Sequence, residues 1–123
     1  MNKPLAIIIE DDPQLNEIIK ITLESEFEIN SYSDGNSGWE RLSQIAPQVV
    51  ILDLNLPGLQ GKEILARIRA GEQFSKTRVI LTTADERQAE FLRDKADITL
   101  LKPVSPGQLR ELAKRLKPQT TSK

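Results

Sequence analysis

With 123 residues, 38% of them apolar and 28% charged, the chain is long enough for one domain with a real core and too short for two ordinary ones. A net charge of -1 gives no electrostatic case for nucleic acid or an anionic membrane. The absence of Cys and His removes disulfides, thiolate nucleophiles, zinc held by Cys or His, and imidazole acid–base catalysis, leaving carboxylates, Lys, Ser/Thr and hard cations to carry any chemistry.

No apolar run approaches the roughly 20 residues of a membrane span. The opening Met1-Asn2-Lys3-Pro4 and the short apolar run behind it reach acids too soon for a signal peptide. The expected setting is the cytoplasm. Leu5 to Ile9 reads as a buried strand closed by Glu10-Asp11-Asp12. Pro13 opens a helix, with Leu15, Ile18, Ile19, Thr22 and Leu23 as its apolar face. Glu28 to Ser33 alternates weakly and reads as an edge strand. Asp34-Gly35-Asn36 is a turn, with Asn36 or Ser37 as the cap of a second helix striped by Trp39, Leu42 and Ile45 and ended by Pro47.

Val49-Val50-Ile51-Leu52 then runs straight into Asp53, and Pro57-Gly58 follows, the pattern of a strand buried on both faces. Gly61 leads a helix with Ile64, Leu65 and Ile68 facing inward, stopping near Gly71. Arg78 to Thr83 is a fourth strand and Glu86 to Asp94 a brief helix with Ala89, Phe91 and Leu92 apolar. Ile98 to Leu101 is a fifth strand, followed at once by Lys102-Pro103. Ser105 caps a last helix with Leu109, Leu112, Ala113 and Leu116 on one side, and Pro118 to Lys123 is a polar tail or the start of a linker. The domain is thus expected over residues 1–117.

Five strands alternating with five helices imply an α/β fold with a parallel sheet covered on both faces. Right-handed crossovers leave few topologies at this length. The one expected is the flavodoxin-like (βα)5 three-layer sandwich, strand order 2-1-3-4-5. That order brings the ends of the first, third, fourth and fifth strands to one edge, and with them Glu10-Asp11-Asp12, Asp53, Thr83 and Lys102. Carboxylates gathered so closely repel unless a cation relieves them. Oxygen ligands without His or Cys favour Mg²⁺ or Ca²⁺, and Mg²⁺ commonly takes one or two carboxylates plus a phosphate oxygen. Lys102 is a point charge for phosphate, the Thr83 hydroxyl a hydrogen-bond donor, and Asp53, on the central strand, the nucleophile. Each position has a plainer reading by itself: acids favoured by a helix N-terminus, a turn Asp, a solvated Lys, a β-branched strand residue, and for Trp39 ordinary packing. The coincidence of four strand ends is what points to chemistry.

At these residues the chain resembles the response regulator receiver domains of two-component signalling, over about residues 4 to 117. The motifs stand in order: Ile9-Glu10-Asp11-Asp12-Pro13; Asp53-Leu54-Asn55-Leu56-Pro57-Gly58 with Gly61 and Glu63-Ile64-Leu65; Leu81-Thr82-Thr83-Ala84; Leu101-Lys102-Pro103-Val104-Ser105-Pro106 with Leu109. The resemblance implies that Asp53 accepts a phosphoryl group from the phosphohistidine of a sensor histidine kinase or phosphotransfer protein. It implies that Glu10, Asp11 and Asp53 bind Mg²⁺, with Asp12 a less favoured third acid and the Asn55 carbonyl completing the site. It makes Thr83 the switch hydroxyl, Lys102 the phosphoryl contact, and the Lys102–Pro103 bond cis. The three acids are balanced by Mg²⁺ and Lys102, and the charge that transfer adds is met by Thr83, coupling the site to a distant face. Asn55 and Asp85 would set the dephosphorylation rate by orienting water.

The chain departs from the family at Thr99, where Tyr or Phe is usual, and in the Thr83 to Lys102 segment, which is shorter and has Lys95-Ala96 in place of Gly-Ala. The fourth helix is accordingly expected to be short or displaced. Self-phosphorylation and self-dephosphorylation are the only chemistry expected, so this is not a turnover enzyme. The expected output is through protein contacts, with a downstream target or a further output domain, as a monomer or weak homodimer. Met1, the only methionine, reads as a native start. Three alternatives remain: a receiver scaffold that works without phosphorylation; a haloacid-dehalogenase-like phosphatase, which wants Asp where Asn55 stands; and a nucleotide or flavin binder, which wants a Gly-rich loop after the first strand.

Overall fold

In the computed structural model, which describes residues 3–118, the elements alternate throughout. They are β1 (Leu5–Ile9), α1 (Pro13–Leu23), β2 (Glu28–Tyr32), α2 (Gly35–Leu42), β3 (Val49–Asp53), α3 (Gly61–Ala70), β4 (Arg78–Thr83), α4 (Glu86–Phe91), β5 (Ile98–Leu101) and α5 (Pro106–Arg115). The strands form one parallel sheet of order β2-β1-β3-β4-β5, as expected. Beyond residue 118 the expected tail lies outside the described residues. Among the described residues no helix is long and apolar enough to cross a membrane.

Every residue of β3 is buried, because β1 and β4 flank it and helices cover both faces. Side chains alternate between the faces. Ile7, Ile9, Val50, Leu52, Val79 and Leu81 pack with Leu42, Ile64, Leu65, Ile68 and Phe74 on the α2/α3 side. Ala6, Ile8, Val49, Ile51, Ile80 and Leu100 pack with Ile19, Leu23, Leu109 and Ala113 on the α1/α5 side. Caps agree with composition: Asp12 accepts from the N–H groups of Gln14 (3.0 Å) and Leu15 (3.5 Å), and Ser105 Oγ from Gln108 N–H (3.2 Å).

The second helix departs from its sequence reading. Its cap is Asp34, whose carboxylate accepts from Ser37 N–H at 2.9 Å, in place of Asn36 or Ser37. Gly35 opens the helix because its backbone is pressed against the β3–α3 loop: its N–H donates to Pro57 O (3.1 Å), and a Cβ there would lie 1.8 Å from Leu59 O. The helix stops at Leu42, well before Pro47, which leaves Ile45 outside it and 39% exposed. In α1, Ile18 is 44% exposed; the buried stripe is Ile19 and Leu23 alone, one turn apart. The fourth helix is short, as expected, ending at Phe91 and continuing as a 3-10 turn, Arg93–Lys95. Leu92 reaches the core, but Phe91 is 85% exposed.

Candidate functional site

The carboxyl ends of β1, β3, β4 and β5 lie at one rim, and the side chains singled out there arrive from four segments of the chain. Glu10 directly follows β1; its N–H donates to Tyr32 O (3.0 Å), tying it to β2. Asp53 ends β3, and its Oδ1 accepts from Asn55 N–H (3.0 Å), a short turn that fixes the carboxylate. Lys102 follows β5, held through its N–H to Thr83 O (2.9 Å), and its bond to Pro103 is cis. Glu10 and Asp53 are each only 1% exposed.

Lys102 Nζ bridges the two buried acids. It hydrogen-bonds Asp53 Oδ2 at 3.2 Å and Glu10 Oε2 at 3.3 Å, and approaches Glu10 Oε1 to 3.2 Å without hydrogen-bond geometry. Burial works against the Lys102 charge, yet the Glu10 and Asp53 charges outweigh it and hold the ammonium above its ordinary pKa. Glu10 goes the other way. Burial, with the nearby Asp53 charge adding to it, pushes its carboxyl up to about 7 against the opposing pull of the Asp12 N–H and Lys102.

Asp11 is exposed at the mouth of the site, and no ion pair reaches it among the described residues. One carboxylate oxygen from each of Glu10, Asp11 and Asp53 lies within 4.8 Å of the others, the one such acidic group among the described residues. Glu10 Oε1 is buried and receives no hydrogen bond. An orphaned carboxylate oxygen in an oxygen-only cluster fits a hard divalent cation such as Mg²⁺. Asp12, the less favoured third acid, is occupied in capping α1 and stands outside the cluster.

Thr83 is fully buried at the end of β4. Its Oγ1 accepts from Asp85 N–H (3.0 Å), which leaves the hydroxyl hydrogen for another acceptor; no hydrogen bond joins it to Asp53 or Lys102. Asn55 is exposed just after β3, and its N–H is the group that meets Asp53. The geometry therefore unites Glu10, Asp11, Asp53 and Lys102, with Thr83 and Asn55 flanking them. Sequence reasoning gave no role to Asn16, whose Nδ2 donates to both Glu10 O (2.9 Å) and Tyr32 O (3.1 Å) and so pins the acidic loop. Its signal was an amide one turn inside a helix that follows an acidic strand end.

A family model described as "Response regulator receiver domain" matches residues 6–114. Over 111 residues the chain is 30% identical to "Hybrid signal transduction histidine kinase D" of Dictyostelium discoideum, covering 88% of this chain and 7% of that protein. Over 127 residues it is 30% identical to "Phosphate regulon transcriptional regulatory protein PhoB" of Rhizobium meliloti, covering 97% of this chain and 56% of that one. The chain thus spans little more than half, or far less, of the length of these curated relatives. The solved chemotaxis response regulator CheY4 of Vibrio cholerae superposes with a TM-score of 0.84 at 20% identity, over 94% of this chain and 99% of that one, a likeness of fold. Matched over nearly its whole length, with its five-stranded order and acidic rim in agreement, this chain belongs to the response regulator receiver domain family.

Proposed function

We propose that the chain is a phosphoacceptor switch: Asp53 takes a phosphoryl group from a phosphohistidine on a sensor histidine kinase or phosphotransfer protein, and the change alters its contacts with a downstream partner. The observation that carries this reading is the convergence of Glu10, Asp11, Asp53 and Lys102, from segments up to 92 residues apart, on one rim. In the transfer an Asp53 carboxylate oxygen attacks phosphorus, an O–P bond forms, the N–P bond of the donor breaks, and the imidazole leaves with the electron pair. In the return step water attacks phosphorus, the O–P bond breaks, and inorganic phosphate departs from a restored carboxylate.

Glu10, Asp11 and Asp53 are the residues that would hold Mg²⁺, with the Asn55 carbonyl beside them. When bound, the cation neutralises charge on the transferring group and orients its oxygens. Lys102 already contacts Asp53 Oδ2, the oxygen side on which a phosphoryl group would sit, so its charge meets the group without a long movement. Thr83 keeps a hydrogen with which to bond a phosphoryl oxygen, and drawing it there pulls on the Asp85 turn at the start of α4. This is self-modification, not turnover of a free substrate. The proposed setting is the cytoplasm, and the proposed recipient of the signal is a separate protein or a further domain of the same polypeptide.

The test is to incubate the protein with Mg²⁺ and a small phosphodonor such as acetyl phosphate and weigh it intact, beside Asp53→Ala. A gain of one phosphoryl group that needs both Mg²⁺ and Asp53 is the expected result. A folded wild-type chain with no gain would refute the reading and favour a scaffold that works without phosphorylation. Rapid hydrolysis of unrelated phosphate esters would refute it in favour of a phosphatase.

A further inference from the structure

Two buried hydroxyls end β4, and the reading above uses only one. Thr82 is 1% exposed, and its Oγ1 has no hydrogen-bond partner. A buried hydroxyl left unpaired is destabilising, and buried polar groups are otherwise nearly always paired. Its place in the sheet gives it a neighbour. Thr82 is the cross-strand partner of Asp53 in the β3–β4 register. The alternation puts it on the same face: Val49 and Ile51 of β3, Ile80 of β4 and Leu100 of β5 all belong to the α1/α5-side core. By the same count Asp53, Thr82 and Lys102 are the next residues up that face, and Glu10 follows Ile8 on β1. By the same alternation Thr83, the last residue of β4, follows Leu81 of the α2/α3-side core.

We infer that Thr82 is a second hydroxyl of the site, a hydrogen-bond donor to the Asp53 carboxyl group from the adjacent strand, and this rests on the phosphoacceptor reading above. In the structure each Asp53 oxygen has one partner, Asn55 N–H on Oδ1 and Lys102 on Oδ2, and a carboxylate oxygen accepts two. For this donation, rotation about the Thr82 Cα–Cβ bond must turn its hydrogen toward that spare capacity from the paired position on β4. The bond matters most when Lys102, which meets the Asp53 charge in the structure, is drawn to the phosphoryl group instead. In the phosphorylated state the Asp53 carbonyl oxygen is neutral. As water displaces the phosphoryl group the carboxylate charge returns, and a hydroxyl on it strengthens. A bond that is stronger in the transition state than before it accelerates the step. Thr82 therefore sets how long the phosphorylated state lasts.

The test uses the full chain loaded with acetyl phosphate and Mg²⁺, cleared of donor, and followed by intact mass. Thr82→Val keeps the shape and removes the hydroxyl; it should lengthen the phosphorylated lifetime about fivefold, an effect of about 1 kcal/mol on the barrier. Thr82→Ser should return it to near wild type. The melting temperature of Thr82→Val should be equal or higher, since an unpaired buried hydroxyl has been removed. That split between stability and lifetime would not arise from a packing role. If Thr82→Val folds poorly, Thr82→Ala carries the same readout. Wild-type lifetimes in the Val or Ala variant overturn the role of Thr82 while the acceptor reading stands. A wild-type chain that never loads overturns both.

Discussion

Gly61→Ala should loosen the strand end that carries Asp53, the proposed phosphoacceptor. Gly61 is the first residue of α3 and is buried, and its N–H donates to Leu54 O at 3.2 Å. A Cβ there would lie 2.1 Å from Asp53 O, 2.7 Å from Leu54 Cα and 3.0 Å from the Asp53 carbonyl carbon. Ordinary contact needs roughly 3.5 Å, so strand and helix must part by more than about 1 Å. None of these atoms can swing aside, because all are backbone. The peptide they belong to is anchored by Leu54 N–H on Thr82 O (3.0 Å) and by the Asp53–Asn55 turn. Overpacking against such a wall costs about 3 kcal/mol, the top of the usual range. Alanine returns at most about 1 kcal/mol of helix propensity. The net loss of about 2 kcal/mol should lower the urea midpoint by about 1 M. Loading of Asp53 under Mg²⁺ should slow as well, because the acceptor moves relative to Lys102. A variant with an unchanged midpoint and unchanged loading would refute the claim that this contact sets the position of Asp53.

Because the Glu10 carboxyl is raised to about 7, mostly by burial, it is largely protonated below that pH in the metal-free protein, and Mg²⁺ must displace the proton. Calorimetric titration should show Mg²⁺ affinity climbing from pH 6 toward pH 7 and levelling above it; a flat profile would count against Glu10 as a ligand. The same group binds its proton more tightly folded than unfolded, so the stability it contributes is fully present below about 4.5 and is lost as pH rises through about 7; metal-free melting should follow that sign. Phe74, buried against Trp39 with ring centroids 6.0 Å apart, should cost about 3–5 kcal/mol when replaced by Ala, whereas Phe91→Ala should stay within about 0.5 kcal/mol. Equal losses in denaturant melts would refute the assigned burial.

β1 and β3 were legible because each carries a continuous apolar run that ends at an acid, β3 being the clearest case, whereas β2 showed only a weak alternation. Helix existence was legible from spacing, but which face is covered was not. Ile18 belongs to the apolar pattern of α1 yet is largely exposed, since the sheet buries the Ile19–Leu23 stripe with Leu15 beside it, and Phe91 has no neighbour to bury it. The start of α2 was misread because the pressure on Gly35 comes from Leu59, far along the chain, and no local propensity reports it. In the site, residue types at strand ends foretold the meeting of Glu10, Asp11, Asp53 and Lys102. The bridging of both buried acids by one ammonium, the engagement of Asp12 as a cap and the amide of Asn16 behind the acidic loop depend on distances that only folding fixes.

The thin attachment of α4 bears on how little force the switch needs. None of its six residues is buried, so sliding or unwinding it uncovers almost no apolar surface. A single charge-assisted hydrogen bond, about 1.5–3 kcal/mol, is then enough to reweight its arrangements roughly tenfold or more. A firmly seated helix would absorb that same nudge without responding, whereas under the proposed function this one would turn a modest chemical event beneath it into a large change in the surface presented.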